Sequence, residues 1–217
     1  MELKGKKIAF LGDSITEGCG TSSLEHVYWK VLEQRTGAQC YGYGIGGTRI
    51  APQKCLEEGE VDRYYASRVD SMISAADIVV VFGGTNDFGH GDAPFGKPDD
   101  DDERTFCGAF HALCRKLIRR YPGAQLVVLT PTHRDSEDDG PYNEKGLRLS
   151  TNLAGYVDAI RESAGFYSIP VLDLFRVSGI QPRVPELKAR YMPDGLHPND
   201  AGNERIAEKL IGFLNTL

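Results

Sequence analysis

Three residues of types that can act together in acyl transfer stand far apart in this sequence. Ser14 lies in the stretch LGDSITEG, and Asp194 and His197 lie in PDGLHPND. A serine hydroxyl is a weak nucleophile until a base takes its proton. Histidine is the natural base near neutral pH. An aspartate three residues before it reaches the imidazole within one turn, fixes its tautomer and stabilises the imidazolium. The tetrahedral oxyanion then needs preorganised donors. Ser14 N–H, Gly47 N–H in the glycine turn GIGGT, and the side-chain amide of Asn86 in GGTND make a three-donor hole, with Gly46 the alternative in the second of these blocks.

The base follows by elimination among five histidines. His26 and His111 fall in amphipathic helical patterns and read as packing or surface residues. His90 and His133 stand on strand-end loops, where they could contact a substrate. Only His197 has an aspartate at a usable spacing in a turn. Each block has a plainer reading by itself: Ser14 as a turn or cap residue, GIGG as a tight turn, Asn86 as a helix cap, Asn199 or Asp200 as the cap of a last helix. Those readings leave unexplained why four separate groups fit one reaction. The serine turn is not a GxSxG elbow, because Thr16 stands where the second glycine would be. It is not a phosphate loop either, since no Gly-Lys-Ser/Thr follows, and the dinucleotide fingerprint is absent from it.

The elements that must position these residues are legible as alternating strands and helices. Five short apolar runs (KIAFLG, AQCYGYG, DIVVVFGG, AQLVVLTP and IPVLDLF) are nearly continuous rather than alternating, as in strands buried on both faces. Helical patterns lie between them: SLEHVYWKVLEQRTG, a helix beginning near Asp102 with Phe106, Phe110, Leu113 and Leu117 on one face, NEKGLRLSTNLAGYVDAIRESAG, and NDAGNERIAEKLIGFLNTL. This is the βαβ pattern of a three-layer α/β/α sandwich with about five parallel strands, expected as one domain over residues 1–217. Ligands of such sheets bind beyond the carboxyl ends of the strands, and the reactive residue types cluster there. The acidic run 98–103 is expected to complement the dipole of the helix it precedes, with Arg115, Lys116, Arg119 and Arg120 near the other end. DSEDDG reads as a solvated loop. No metal or other cofactor is expected.

The chain has 217 residues, 41% hydrophobic and 26% charged, with a net charge of −6, which argues against nucleic-acid and anionic-membrane partners. No apolar run is long enough to span a bilayer, and the N-terminal apolar stretch is too short for a signal peptide. The chain is therefore expected to be complete and cytoplasmic; homo-oligomerisation stays open. Its five cysteines, Cys19, Cys40, Cys55, Cys107 and Cys114, form no CxxC pair and suggest neither a disulfide framework nor a zinc site. Cys107 and Cys114 read as small buried groups, and Cys19 stands near the serine turn without a histidine motif of its own.

The blocks GDSIT, GIGGT, GTND and DGLH resemble, in order and across residues 12–197, those of the SGNH (GDSL) hydrolase family. The resemblance implies a flavodoxin-like fold and hydrolysis of acyl esters or thioesters. It assigns Ser14 as nucleophile, Asp194 and His197 as its partners, and Ser14, Gly47 and Asn86 as the oxyanion hole. Tyr41-Gly42-Tyr43 departs from the pattern, since several relatives carry an Asn before these glycines. The loops around the expected site are polar and charged, favouring short acyl groups, such as acetyl on a carbohydrate-like alcohol. Asp13, Phe95, His133, Arg134 and Tyr142 are the candidate substrate contacts. Acyl transfer to another acceptor, thioester cleavage and a non-catalytic flavodoxin-like binding protein are the alternatives.

Overall fold

The computed structural model of the protein describes residues 2–54, 56, 59, 61–138 and 150–217. β1 (Lys7–Gly12) leads into α1 (Ser14–Glu17), a 3-10 turn at Leu24–His26, α2 (Tyr28–Thr36) and β2 (Gln39–Gly44). Then come α3 (Tyr65–Arg68), β3 (Ile78–Phe82), α4 (Thr85–His90), α5 (Phe106–Arg120) and β4 (Gln125–Leu129). The described chain closes with α6 (Leu153–Phe166), β5 (Val171–Leu172), α7 (Leu174–Val177), α8 (Pro185–Tyr191) and α9 (Asp200–Leu214).

All strand pairs are parallel, in the order β2-β1-β3-β4-β5. This is the strand order of the flavodoxin-like fold that the family resemblance implies. Its consequence for function is a switch point: β2 lies on one side of β1 and β3 on the other, so the loops after β1 and β3 diverge and open a crevice. Strand parity then separates two cores. Ile8, Phe10, Ile78, Val80, Phe82, Val127 and Leu129 pack with Tyr28, Leu32, Ile206 and Leu210 of α2 and α9. Ala9, Leu11, Val79, Val81, Leu126 and Val128 pack with Phe106, Phe110, Leu113 and Leu117 of α5, the face read from the sequence, and with Tyr156 and Ile160 of α6. Both sheet faces are covered, which is why the strands read as continuous apolar runs.

Several element boundaries differ from expectation. α5 starts at Phe106 rather than near Asp102, because the Thr105 side chain accepts from Gly108 N and caps the helix there. The acidic run therefore lies outside the first turn; Asp100 instead accepts from Asp102 N and the Thr105 hydroxyl, organising the loop before the helix. α6 begins at Leu153 under the Asn152 cap, and residues 143–149 of the expected helix lie outside the described residues. The first expected helix is split at Val27, which is extended and buried. The fifth strand shortens to Val171–Leu172, since the Asp173 side chain accepts from Arg176 N and starts α7.

Arg68, a residue with no motif, ties the functional end of the sheet together. Its guanidinium donates to Tyr43 O at 2.6 Å, Gly12 O at 3.0 Å, Thr48 Oγ1 at 3.1 Å and Arg63 O at 2.9 Å. These acceptors lie on the carboxyl ends of β1 and β2 and on the segments that follow β2. Replacing Arg68 with Met leaves several buried acceptors without a donor and is expected to cost about 3 kcal/mol. Urea unfolding should show a lower midpoint with the slope unchanged; an unchanged midpoint would exclude this bracing role.

Candidate active site

The serine segment is shaped by a sharp exit from β1. Asp13 is 2% exposed and accepts from Ile15 N, so α1 starts immediately and Ser14 becomes its first residue, 7% exposed. Two glycines permit this for different reasons. Gly18 takes a left-handed φ of 110° at the end of α1. Gly12 is needed for close approach instead, since a Cβ there would sit 1.9 Å from Thr16 Oγ1.

The histidine comes from the turn between α8 and α9. Asp194 Oδ1 accepts from Leu196 N and His197 N, and Asp194 Oδ2 faces His197 Nδ1 at 2.7 Å. A carboxylate only accepts, so the ring proton belongs on Nδ1 and Nε2 is left as an acceptor. Ser14 Oγ lies 3.1 Å from that Nε2 and donates to it. Burial works to raise the Asp194 pKa, but the two backbone N–H groups and the imidazole outweigh it and hold the carboxyl below its ordinary value. Asp194, His197 and Ser14 thus form one hydrogen-bonded chain, although 183 positions separate the last two.

A buried polar network fixes the two segments relative to each other. Asn203 on α9 is fully buried; its Nδ2 donates to Pro198 O at 2.7 Å, and its Oδ1 accepts from Tyr28 N at 3.0 Å. The Tyr28 hydroxyl lies 3.0 Å from Thr16 Oγ1, and Trp29 Nε1 donates to Thr16 O. The path from the His197 turn to the Ser14 helix therefore runs through α2. Tyr28, Trp29 and Asn203 escaped the sequence reading because an isolated polar residue within an apolar helical pattern carries no periodic signal.

The expected oxyanion donors converge on the turn after β2. Gly46 N donates to Glu17 Oε2 at 2.8 Å, so this N–H is already engaged. Gly47 N–H has no protein acceptor among the described residues, which favours Gly47 over Gly46. Asn86 is buried in the first turn of α4 and donates from Nδ2 to Thr48 O at 3.0 Å, setting its amide beside the same turn. A Cβ built on Gly46 would lie 3.8 Å from Ser14 Cβ, so this turn abuts the serine.

The family profile of GDSL-like lipases and acylhydrolases matches residues 10–205. The chain belongs to the GDSL-like lipase/acylhydrolase family. It is 26% identical to a GDSL lipase of Mycobacterium tuberculosis, over 96% of this chain and 81% of that one. A solved structure from Lactobacillus plantarum is 32% identical with a TM-score of 0.82, covering 98% of each chain. The acetyl xylan esterase AlAXEase shares the fold at 24% identity and a TM-score of 0.68, over 96% of this chain and 99% of that one.

The residues expected as substrate contacts make the following contacts within the protein. Asp13, 2% exposed, is turned inward as the cap of α1. Phe95 stacks on Phe106 and meets Tyr156 edge to face. His133 lies over Phe175 and is held by Glu137 at 2.9 Å. Arg134 donates to Thr85 O and lies over Phe88, so it braces α4. Tyr142 lies outside the described residues, as does Cys55. Burial, followed by the carboxylates of Glu17, Asp13 and Asp194, raises the Cys19 pKa and keeps it a thiol. His26 sits in the 3-10 turn, and His111 is buried on α5 against Pro98 O and Tyr167 Oη. Among the described residues no cluster of His, Cys, Asp and Glu is arranged to hold a metal ion, and no helix is long and apolar enough to cross a membrane.

Asp13 and Asp87 lie together beneath the serine. Asp87 accepts from Ile50 N at 3.0 Å and Ala51 N at 2.9 Å, anchoring the segment that follows the glycine turn. Burial raises each carboxyl to about 6. A carboxyl that holds its proton more tightly when folded favours the folded state at low pH, and that contribution is lost as pH rises through the folded pKa. Asp13→Asn keeps an acceptor for Ile15 N and removes the ionisation. Urea unfolding at about pH 4 and about pH 7.5 should show the stability difference moving towards the variant by about 2–3 kcal/mol at the higher pH. A difference independent of pH would contradict the raised Asp13 pKa.

Proposed function

We propose that the protein hydrolyses acyl esters through a serine acyl-enzyme. Ser14 Oγ attacks the carbonyl carbon as its proton passes to His197 Nε2, and Asp194 stabilises the imidazolium. The carbonyl oxygen, now an oxyanion, is met by Ser14 N–H, Gly47 N–H and the Asn86 amide. Collapse of the intermediate breaks the bond to the alkoxy oxygen, which takes the proton from His197 and leaves as the alcohol. Water repeats the sequence on the acyl-serine, giving up a proton to His197 and releasing the acid, with Ser14 restored. The observation that carries this reading is the hydrogen-bonded chain Asp194–His197–Ser14, for which a binding protein of this fold has no use.

The substrate is read as a short acyl ester, acetyl above all, of a carbohydrate-like or other small polar alcohol. A cleft of about 570 Å³ adjoins the Gly46–Gly47 turn; Arg49, Asp62, Arg63 and His90 make its walls mainly polar, with Ile45 and Val61 beside them. Such walls suit hydroxyl-rich groups better than an alkyl chain. The fold shared with the acetyl xylan esterase, and with a two-domain esterase active on acetylated mannans at 22% identity, TM-score 0.63, 98% of this chain and 49% of that one, supports the same reading.

Turnover of p-nitrophenyl acetate, butyrate and octanoate is expected to fall along that series and to vanish in Ser14→Ala. Residual activity in that variant would exclude the serine mechanism, and octanoate as the best substrate would exclude the short-acyl reading. Asn86→Ala should lower kcat by about 10²–10³; a change below about threefold would remove Asn86 from the oxyanion hole.

A further inference from the structure

The Asn86 amide has a second set of contacts. Its Oδ1 faces His90 Nε2 at 3.2 Å, and His90 Nδ1 faces Arg49 Nη1 at 2.9 Å. A guanidinium only donates, so Nδ1 is the accepting nitrogen and the ring proton belongs on Nε2, where it donates to Asn86 Oδ1. With Oδ1 committed to His90 and one Nδ2–H to Thr48 O, the amide is held against flipping and keeps a single spare N–H. We propose that His90 is a positioning residue of the oxyanion hole: Arg49 sets its tautomer, and its Nε2–H holds the Asn86 amide so that the spare Nδ2–H faces the developing oxyanion. This rests on the reading of Asn86 as an oxyanion donor.

The local structure is built for such a relay. Asn86 and His90 are four residues apart on α4 and share one helix face. Arg49 reaches them from the segment after β2, the strand whose following turn carries Gly47. The charges acting on the ring are those of Arg49 and Arg134, and Asp62 and Arg63 line the same cleft. Partial burial, then the charges of Arg49 and Arg134, lower the His90 pKa. A second ring proton would set an N–H against the Arg49 N–H and bring like charges together. Arg134 is committed to Thr85 O, and the Asp87 carboxylate to Ile50 N and Ala51 N. The Nδ1 lone pair therefore stays available to Arg49.

The test is a double-mutant cycle on ester hydrolysis with His90→Ala, Asn86→Ala and the double variant. His90→Ala is expected to lower kcat about tenfold, and to lower it no further in the Asn86→Ala background. His90→Gln, whose amide can both accept from Arg49 and donate to Asn86, should recover most of the loss. Nitrogen NMR of the histidine rings should show His90 with its proton on Nε2. Arg49→Met should mix the tautomers and raise the pH at which the ring takes a second proton. Multiplying losses in the double variant, wild-type kcat in His90→Ala, or a proton on Nδ1 would each overturn the relay. An Asn86→Ala variant with wild-type kcat would remove the oxyanion reading itself, and the relay with it, whereas a large Asn86 effect with none at His90 removes only the relay.

Discussion

The 3.1 Å contact between Ser14 Oγ and His197 Nε2 is the constraint on which the rest of this structure depends. One atom sits at the end of the first strand and the other just before the last helix, so neither local propensity nor a short loop can set their separation. The sheet sets it coarsely, by placing β1 centrally with its outgoing loop at the switch point. Asn203, Tyr28 and Thr16 set it finely through hydrogen bonds across α9, α2 and α1. A buried polar chain of this kind is costly unless every member is satisfied, and satisfied it specifies one arrangement.

The carboxyl end of the sheet is correspondingly polar beneath its surface. Asp13, Asp87 and Arg68 are all buried there, and each is matched to backbone groups rather than to a partner of opposite charge. Asp13 starts α1 so that Ser14 emerges at its tip. Asp87 grips the segment after the glycine turn, and Arg68 binds the ends of β1 and β2. Apolar residues at those places would pack at lower solvation cost, but they could not hold three loops from different strands in one geometry. In the proposed mechanism, this rigidity lets the donors meet the oxyanion without reorganising.

Much of this was legible in the sequence because its signals are local. The inner strands, buried on both faces, read as short apolar runs, and each of the five runs contains a strand of the sheet, the fifth only at Val171–Leu172. Ser14, Asn86 and the Asp194–His197 pair were legible because each follows a strand or turn in a recognisable block. Boundaries were less legible. The acidic run before α5 resembles a charged first turn, but the Thr105 cap decides the start, and a threonine among aspartates gives no strong signal. Asp13 adjoins Ser14 in the chain, yet as the cap of α1 it turns its side chain back into its own helix. On the loop after β4, Arg134 braces α4 through Thr85 and Phe88, while His133 packs on Phe175 and pairs with Glu137.

By itself, the sequence determined the class of fold, through the periodicity of its apolar residues, and the set of groups available for chemistry, through their types and order. Both follow from short-range rules that hold wherever the chain is placed. Only the tertiary structure decided which of those groups meet. It engaged Gly46 N–H with Glu17 and left Gly47 N–H free of protein acceptors among the described residues. It joined Arg49, His90 and Asn86 across separate segments, and it gave Arg68 and Asn203 their bracing contacts. These outcomes depend on distances between residues remote in the chain, which packing of the two cores against the sheet fixes and no local pattern encodes.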